Sequence, residues 1–155
     1  MVTPSPIARL GEEIGKLKEF VALLQREQEL LARADTEALL PLIEGKTALS
    51  IALADYSQAR ESLFKQLGLA NGRAGMEAWL SQFGNAGQRR AWNELLELAT
   101  QARSLNETNG KLIVLHMQQN QQAFTALMQA ANRAMTYGPD GHQQAGLGGR
   151  ILGTA

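Results

Sequence analysis

Cysteine is absent from the 155 residues of this chain, which removes disulfide frameworks, thiol nucleophiles and cysteine-ligated zinc in one step. The absence fits a reducing compartment. An excess of either charge is missing too, since 15 basic residues face 15 acidic ones. A nucleic-acid binder normally carries a basic stripe to neutralise phosphates. Here Arg89-Arg90 is the only basic doublet, and it reads as a solvated helix face. No apolar run approaches the roughly 18 residues that a membrane helix needs. The opening Met1-Val2-Thr3-Pro4-Ser5-Pro6 lacks the basic-then-apolar pattern of a secretory signal. Together these absences predict a soluble cytoplasmic protein with no nucleic-acid partner and no membrane span.

Strand-forming residues are scarce as well. Three valines and 5% aromatics stand against 24 leucines and 23 alanines. Leu and Ala favour helix, strands favour β-branched and aromatic side chains, and no segment alternates with period two. The sequence predicts an all-α fold: an antiparallel pair of long helices with coiled-coil character, one short helix, a long C-terminal helix and a flexible tail.

Ser5 can cap a first helix that has Pro6 at its first position, where the missing N–H is harmless. Ile7, Leu10, Ile14, Leu17, Val21, Leu24, Gln28 and Leu31 come next at spacings of three and four, a heptad-like seam interrupted once by Gln28. Asp35-Thr36 marks a break, and Pro41 implies a short turn over 36–40, or a kink, before a second long helix. Its expected seam is Leu42, Leu49, Leu53, Tyr56, Leu63 and Leu67, with Gly68 as a left-handed stop. The short connection makes the pair antiparallel.

Residues 68–75 read as a loop. A short helix is expected over 76–83, burying Trp79, Leu80 and Phe83 as a plug on the end of the bundle and bounded by Gly84 and Gly87. The last helix is expected over 88–135, roughly 47 residues or about 70 Å if unbroken. Its seam of Ala91, Leu95, Leu98, Ala102, Leu105, Asn109, Leu112, His116, Gln119 and Ala123 turns polar after Leu112. Gly110 suggests a bend or a close helix contact. Residues 1–137 thus form the helical domain. The tail, 138–155, holds six of the 15 glycines and too little apolar surface to offset its ordering entropy.

Catalytic and metal chemistry lack their parts. The residues three before the two histidines are Ile113 and Pro139, so no Glu-x-x-His pair can build a bundle metal site. The carboxylates are scattered, with no pair spaced for acid–base work. Gly146-Leu147-Gly148-Gly149 follows no strand and opens no helix, so it is no phosphate loop. Asn106-Glu107-Thr108 fits a glycosylation acceptor but falls mid-helix. His116 lacks the lysine that a phosphotransfer histidine keeps nearby, and reads as a partly packed seam residue. The sequence predicts no enzyme, no cofactor and no metal.

Surface remains. Ile113, Met117, Phe124, Leu127, Met128, Ala131 and Met135 form an apolar face on the second half of the last helix, holding three of the five methionines. Met suits a surface that must adapt to a partner helix. The competing reading packs the same residues on the first two helices.

Two stretches carry a family likeness: Leu105-Asn106-Glu107-Thr108-Asn109-Gly110-Lys111-Leu112-Ile113, and Tyr137-Gly138-Pro139-Asp140-Gly141 after the last helix. With the N-terminal hairpin, the chain resembles the FlgN family of flagellar type III export chaperones. The resemblance implies an ATP-independent cytosolic chaperone. Its clients would be hook–filament junction (hook-associated) proteins, bound through C-terminal helical segments and surrendered to export-gate and export ATPase components. It places the client site on the C-terminal part of the last helix, and puts Asn106, Asn109 and Gly110 at a junction where that helix begins its second half. The alternative is a homodimeric coiled-coil scaffold held by the first-helix seam.

Overall fold

The computed structural model describes residues 5–136. Its helices are α1 (Leu10–Ala32), α2 (Thr36–Gln66), α3 (Gly72–Phe83), α4 (Ala86–Gln119) and α5 (Gln121–Thr136), and no strand occurs among the described residues. The tail, and Tyr137-Gly138-Pro139-Asp140-Gly141 with it, lies outside them.

Ser5 does cap the chain's entry, its Oγ accepting from the Ile7 N–H at 3.3 Å. The next residues form a tight turn, however, with Ala8 donating to the Ser5 carbonyl and Leu10 to that of Ile7. Regular helix therefore begins at Leu10 rather than at Pro6. The expected seam is buried at Ile7, Leu10, Ile14, Leu17, Val21, Leu24 and Leu31, with Gln28 half-buried. Helix α1 ends with Ala34 at φ 54°, Asp35 N–H on the Leu30 carbonyl and Ala34 N–H on that of Leu31. This is the Schellman arrangement.

No separate turn spans 36–40. Asp35 caps α2 directly, its side chain accepting from the Ala38 N–H at 3.2 Å, and Pro41 lies inside the helix. Proline removes one intrahelical bond, to the Glu37 carbonyl, on an exposed stretch that water reaches. Burial of Leu39 and Ile43 on either side keeps the helix together.

The inward line of α2 also differs from the expected seam. It runs Leu39, Ile43, Lys46, Ser50, Leu53, Ser57, Arg60 and Phe64, again at spacings of three and four. Of the expected residues Leu53 alone is buried, and Leu67 is exposed. Four of the eight inward residues are polar, and this hid the stripe from an apolar count. Glu13, Phe20 and Glu27 recur every seven residues on α1, as do Lys46, Leu53 and Arg60 on α2. In the antiparallel hairpin Arg60 meets Glu13 and Lys46 meets Glu27, all four charges buried.

Gly68, at φ 70°, ends α2 as expected. Helix α3 starts at Gly72, earlier than 76. Gly75, Met76 and Leu80 are its buried residues, whereas Trp79 is half-buried and Phe83 is 59% exposed, so of the expected plug residues only Leu80 is fully buried. Gly75 is required there, because a Cβ would come within 1.8 Å of the Ala70 carbonyl oxygen.

Asn85 and Gln88 cap α4 reciprocally, a capping box. The long last helix is not continuous. Asn120, at φ −152° and ψ 81°, separates α4 from α5 within the polar run Gln118-Gln119-Asn120-Gln121-Gln122. The break is at Asn120 and not at Gly110, where the helix continues unbroken and a Cβ would meet open space.

Helix α1 is central. Lys18 reaches Glu94 at 3.0 Å and Asn109 reaches Glu27 at 2.7 Å, so α4 runs parallel to α1 while α2 runs antiparallel. Helix α5 then packs on both α2 and α4. Ile113 and Leu127, each seven residues from Asn120, share one core cluster, as a back-folded helix requires. Two cores result. One joins the start of α1 with the end of α2, α3 and the first half of α4. The other joins Leu30, Leu31, Leu39 and Ile43 to Ile113, Leu127, Met128 and Ala131.

Candidate functional site

The apolar face singled out in the sequence lies in this second core. Ile113, Leu127, Met128 and Ala131 are buried, and Met117 is half-buried against them. Phe124 and Met135 belong to the backbone of α5, and their side chains lie outside the described residues. The face thus packs on the chain's own α1 and α2. Helix α5 closes the slot between α2 and α4 as the fourth member of the bundle at this end.

Beneath α5 is a polar node. Glu27 and Lys46 are 0% and 1% exposed, and the Lys46 ammonium donates to both carboxylate oxygens at 3.2 and 3.3 Å. Asn109 Nδ2 donates to Glu27 Oε1 at 2.7 Å and to the Leu24 carbonyl at 2.9 Å. One family-motif residue therefore binds α4 to the buried pair that joins α1 and α2. Asn106 is buried one turn away. Gly110 follows on the same helix. Burial pulls the Lys46 pKa below the usual lysine range, and the nearby Glu27 carboxylate counters it in part.

A second pair lies four turns down. Arg60 grips both oxygens of Glu13, and its guanidinium lies 5.4 Å from the centre of the Trp92 ring. Burial pushes the Glu13 carboxyl up, against the pull of Arg60. These charges were not anticipated from the sequence. The usable signal was the matched spacing of fourteen residues, two heptads, between Glu13 and Glu27 on α1 and between Lys46 and Arg60 on α2, which only the antiparallel register turns into pairs.

The buried carboxylates are each held by a cation, and among the described residues no group of His, Asp and Glu stands close enough to hold a metal ion. No helix among them is long and apolar enough to cross a membrane. His116 is half-buried near the end of α4.

Such a molecule belongs to the class of all-α bundles, its last helix seated between two others and joined to the rest through one non-helical residue. The profile of the family described as "FlgN protein" matches residues 1–145, and the chain belongs to that family of flagellar chaperones. It is 28% identical to "Flagella synthesis protein FlgN" of Yersinia enterocolitica over 156 residues, 99% of each chain. The like-named protein of Proteus mirabilis is 28% identical over 137 residues, 87% of each. No solved structure matches the chain significantly.

Proposed function

We propose that this chain is a cytosolic flagellar type III export chaperone for the C-terminal helical segments of hook–filament junction proteins. It keeps them soluble and unassembled, and delivers them to export-gate and export ATPase components. The observation that carries the reading is the seating of α5. An amphipathic helix lies in a slot built for one, attached through Asn120 alone.

The client helix enters the slot between α2 and α4. Helix α5 swings out on Asn120 and closes over it with the same face. Leu127, Met128 and Ala131 of α5 then exchange their contacts with α2 for contacts with the client, and Ile113, Met117, Phe124 and Met135 complete the client-binding face. Burying a Leu or Met side chain is worth about 1.5–3 kcal/mol. Two apolar anchors on a client helix therefore match what Leu127 and Met128 give up. The near-balance makes binding reversible, as delivery demands. The node at Asn109 stays intact and keeps α1, α2 and α4 in register throughout.

A scaffold that dimerises through the first-helix seam is less well supported, because Ile7 to Leu31 are used within the chain's own two cores. Calorimetry with a synthetic C-terminal helical peptide of the hook–filament junction protein tests the proposal. Micromolar or tighter binding is expected, lost in Met117→Asp with Phe124→Asp while the helical circular dichroism persists. A well-folded wild type that ignores the peptide contradicts it.

A further inference from the structure

The body of the bundle and its last helix are held differently. The α1–α2 hairpin is locked by two buried ion pairs, and α4 is tied to it through Asn109 and Glu27. Helix α5 is held by its apolar face, with Leu127, Met128 and Ala131 set against Leu39 and Ile43 of α2 and Ile113 of α4. Apolar contacts are non-directional, so this seat does not distinguish the α5 of one chain from that of a second copy.

The joint that leads to α5 answers to two opposed demands. Between Gly110 and Gly138 the sequence contains neither glycine nor proline, and Asn120 lies among glutamines, which are good helix formers. Yet the chain leaves the helix there. The Asn120 N–H still donates to the His116 carbonyl at 2.8 Å, and φ −152° with ψ 81° then turns the backbone out of its helical course. Folding back takes the last carbonyls of α4 and the first N–H groups of α5 out of helical pairing. A straight helix over residues 86–136, about 50 residues and roughly 75 Å long, restores those bonds but removes α5 from its seat. A single chain meets one demand or the other. Two copies meet both.

We propose that this protein exchanges α5 between two copies. Helices α4 and α5 straighten at Asn120 into one helix, and each copy seats its α5 in the α2/α4 slot of the other. There it runs antiparallel to the other copy's α4, as it does to its own in the single chain. The result is a closed two-fold dimer in which each slot is completed by the other copy. The unbroken last helix suggested by the sequence is the form it takes in this dimer. The turn between α1 and α2 leaves room for the exchange. Asn109 is bonded to Leu24 and Glu27, so at equal rise Ala34 comes level with about residue 116–119 of α4. The turn therefore does not rise past Asn120, and two bundles can meet end to end. At low concentration the single chain is favoured because its own α5 is already at hand, and the dimer grows with concentration.

Size-exclusion chromatography with light scattering on the full chain, from about 10 µM to about 1 mM, tests the proposal. A monomer in exchange with a dimer is expected. Asn120→Ala favours the straight helix at both joints of the dimer, and is expected to raise the association constant about tenfold. A Gly-Gly-Ser insertion after Asn120 relaxes the fold-back and interrupts the straight helix, and is expected to lower it about tenfold or more. In dimer refolded from equal amounts of isotope-labelled and unlabelled chain, filtered NOEs between the methyls of Leu127 or Met128 and those of Leu39 or Ile43 are expected to cross from one chain to the other. Wild type and Asn120→Ala that both stay monomeric at the highest concentration, with helical circular dichroism unchanged, overturn the proposal. So does a dimer whose NOEs stay within one chain, or one whose association ignores both changes at the joint. Each of those results leaves the chaperone reading standing, because the exchange rests on the seat of α5 and not on a client.

Discussion

Ala34 and Gly68 end their helices with the same hydrogen bonds, yet one is alanine and the other glycine. In each case the N–H of the next residue reaches five residues back, Asp35 to Leu30 and Leu69 to Phe64. Each left-handed residue has φ between 54° and 70°. A Cβ in that conformation costs about 1–2 kcal/mol, part of which is recovered in glycine's greater unfolded-state entropy. Ala34→Gly is therefore expected to stabilise the protein by about 0.5–1 kcal/mol in urea titration. Gly110 is the converse, a helix-interior glycine whose Cβ would meet open space. Gly110→Ala should add about 1 kcal/mol by helix propensity alone. Glu13 supplies a pH dependence. Its carboxyl is raised in the folded state, so the native protein holds a proton that the unfolded chain has released. That contribution to stability is full below the unfolded value of 4.5 and is lost as pH rises through the raised folded value. The slope of stability against pH just above 4.5 should therefore be more negative in the wild type than in Glu13→Gln. At this scale the sequence was legible where a residue's conformational role is intrinsic, as at Gly68. It was mute on Ala34, which only the context makes left-handed.

At the scale of elements, the two buried pairs set the hairpin register. Sliding α2 by one heptad would put Lys46 and Arg60 out of reach of Glu27 and Glu13 and strand four charges in the core. Lys46→Met alone leaves the Glu27 charge buried without a cation, with only the Asn109 amide still donating to it, and is expected to cost about 3–5 kcal/mol in urea unfolding. The double replacement Glu27→Leu with Lys46→Met should be near neutral or stabilising, because the desolvation of both charges disappears with them. A double variant as unstable as the single one would mean that the pair stabilises outright. The α1 seam was legible because it is apolar, while that of α2 was not, because Lys46, Ser50, Ser57 and Arg60 face inward. Heptad spacing was kept, but in residues that apolar counting treats as surface. The break in the last helix was missed for a related reason. Asn120 lies in a polar run without proline or glycine, and the force that bends the chain there is the burial of Leu127, Met128 and Ala131, a tertiary gain.

For the whole molecule, the described part of the apolar face read from sequence, Ile113, Met117, Leu127, Met128 and Ala131, has its seat inside the bundle. Periodicity identifies which residues share a side of a helix but not whether that side is turned to solvent, to another helix of the chain or to a partner. In the proposed cycle the face has two successive partners, α2 and then the client. The most direct measurement of that claim is the set of methyl–methyl NOEs between Leu127 and Met128 of α5 and Leu39 and Ile43 of α2, recorded on the full chain with and without saturating client peptide. These NOEs are expected in the free protein and should vanish on binding, while contacts between α1 and α2 persist. If they survive at full saturation, α5 keeps its place and the exchange mechanism is wrong.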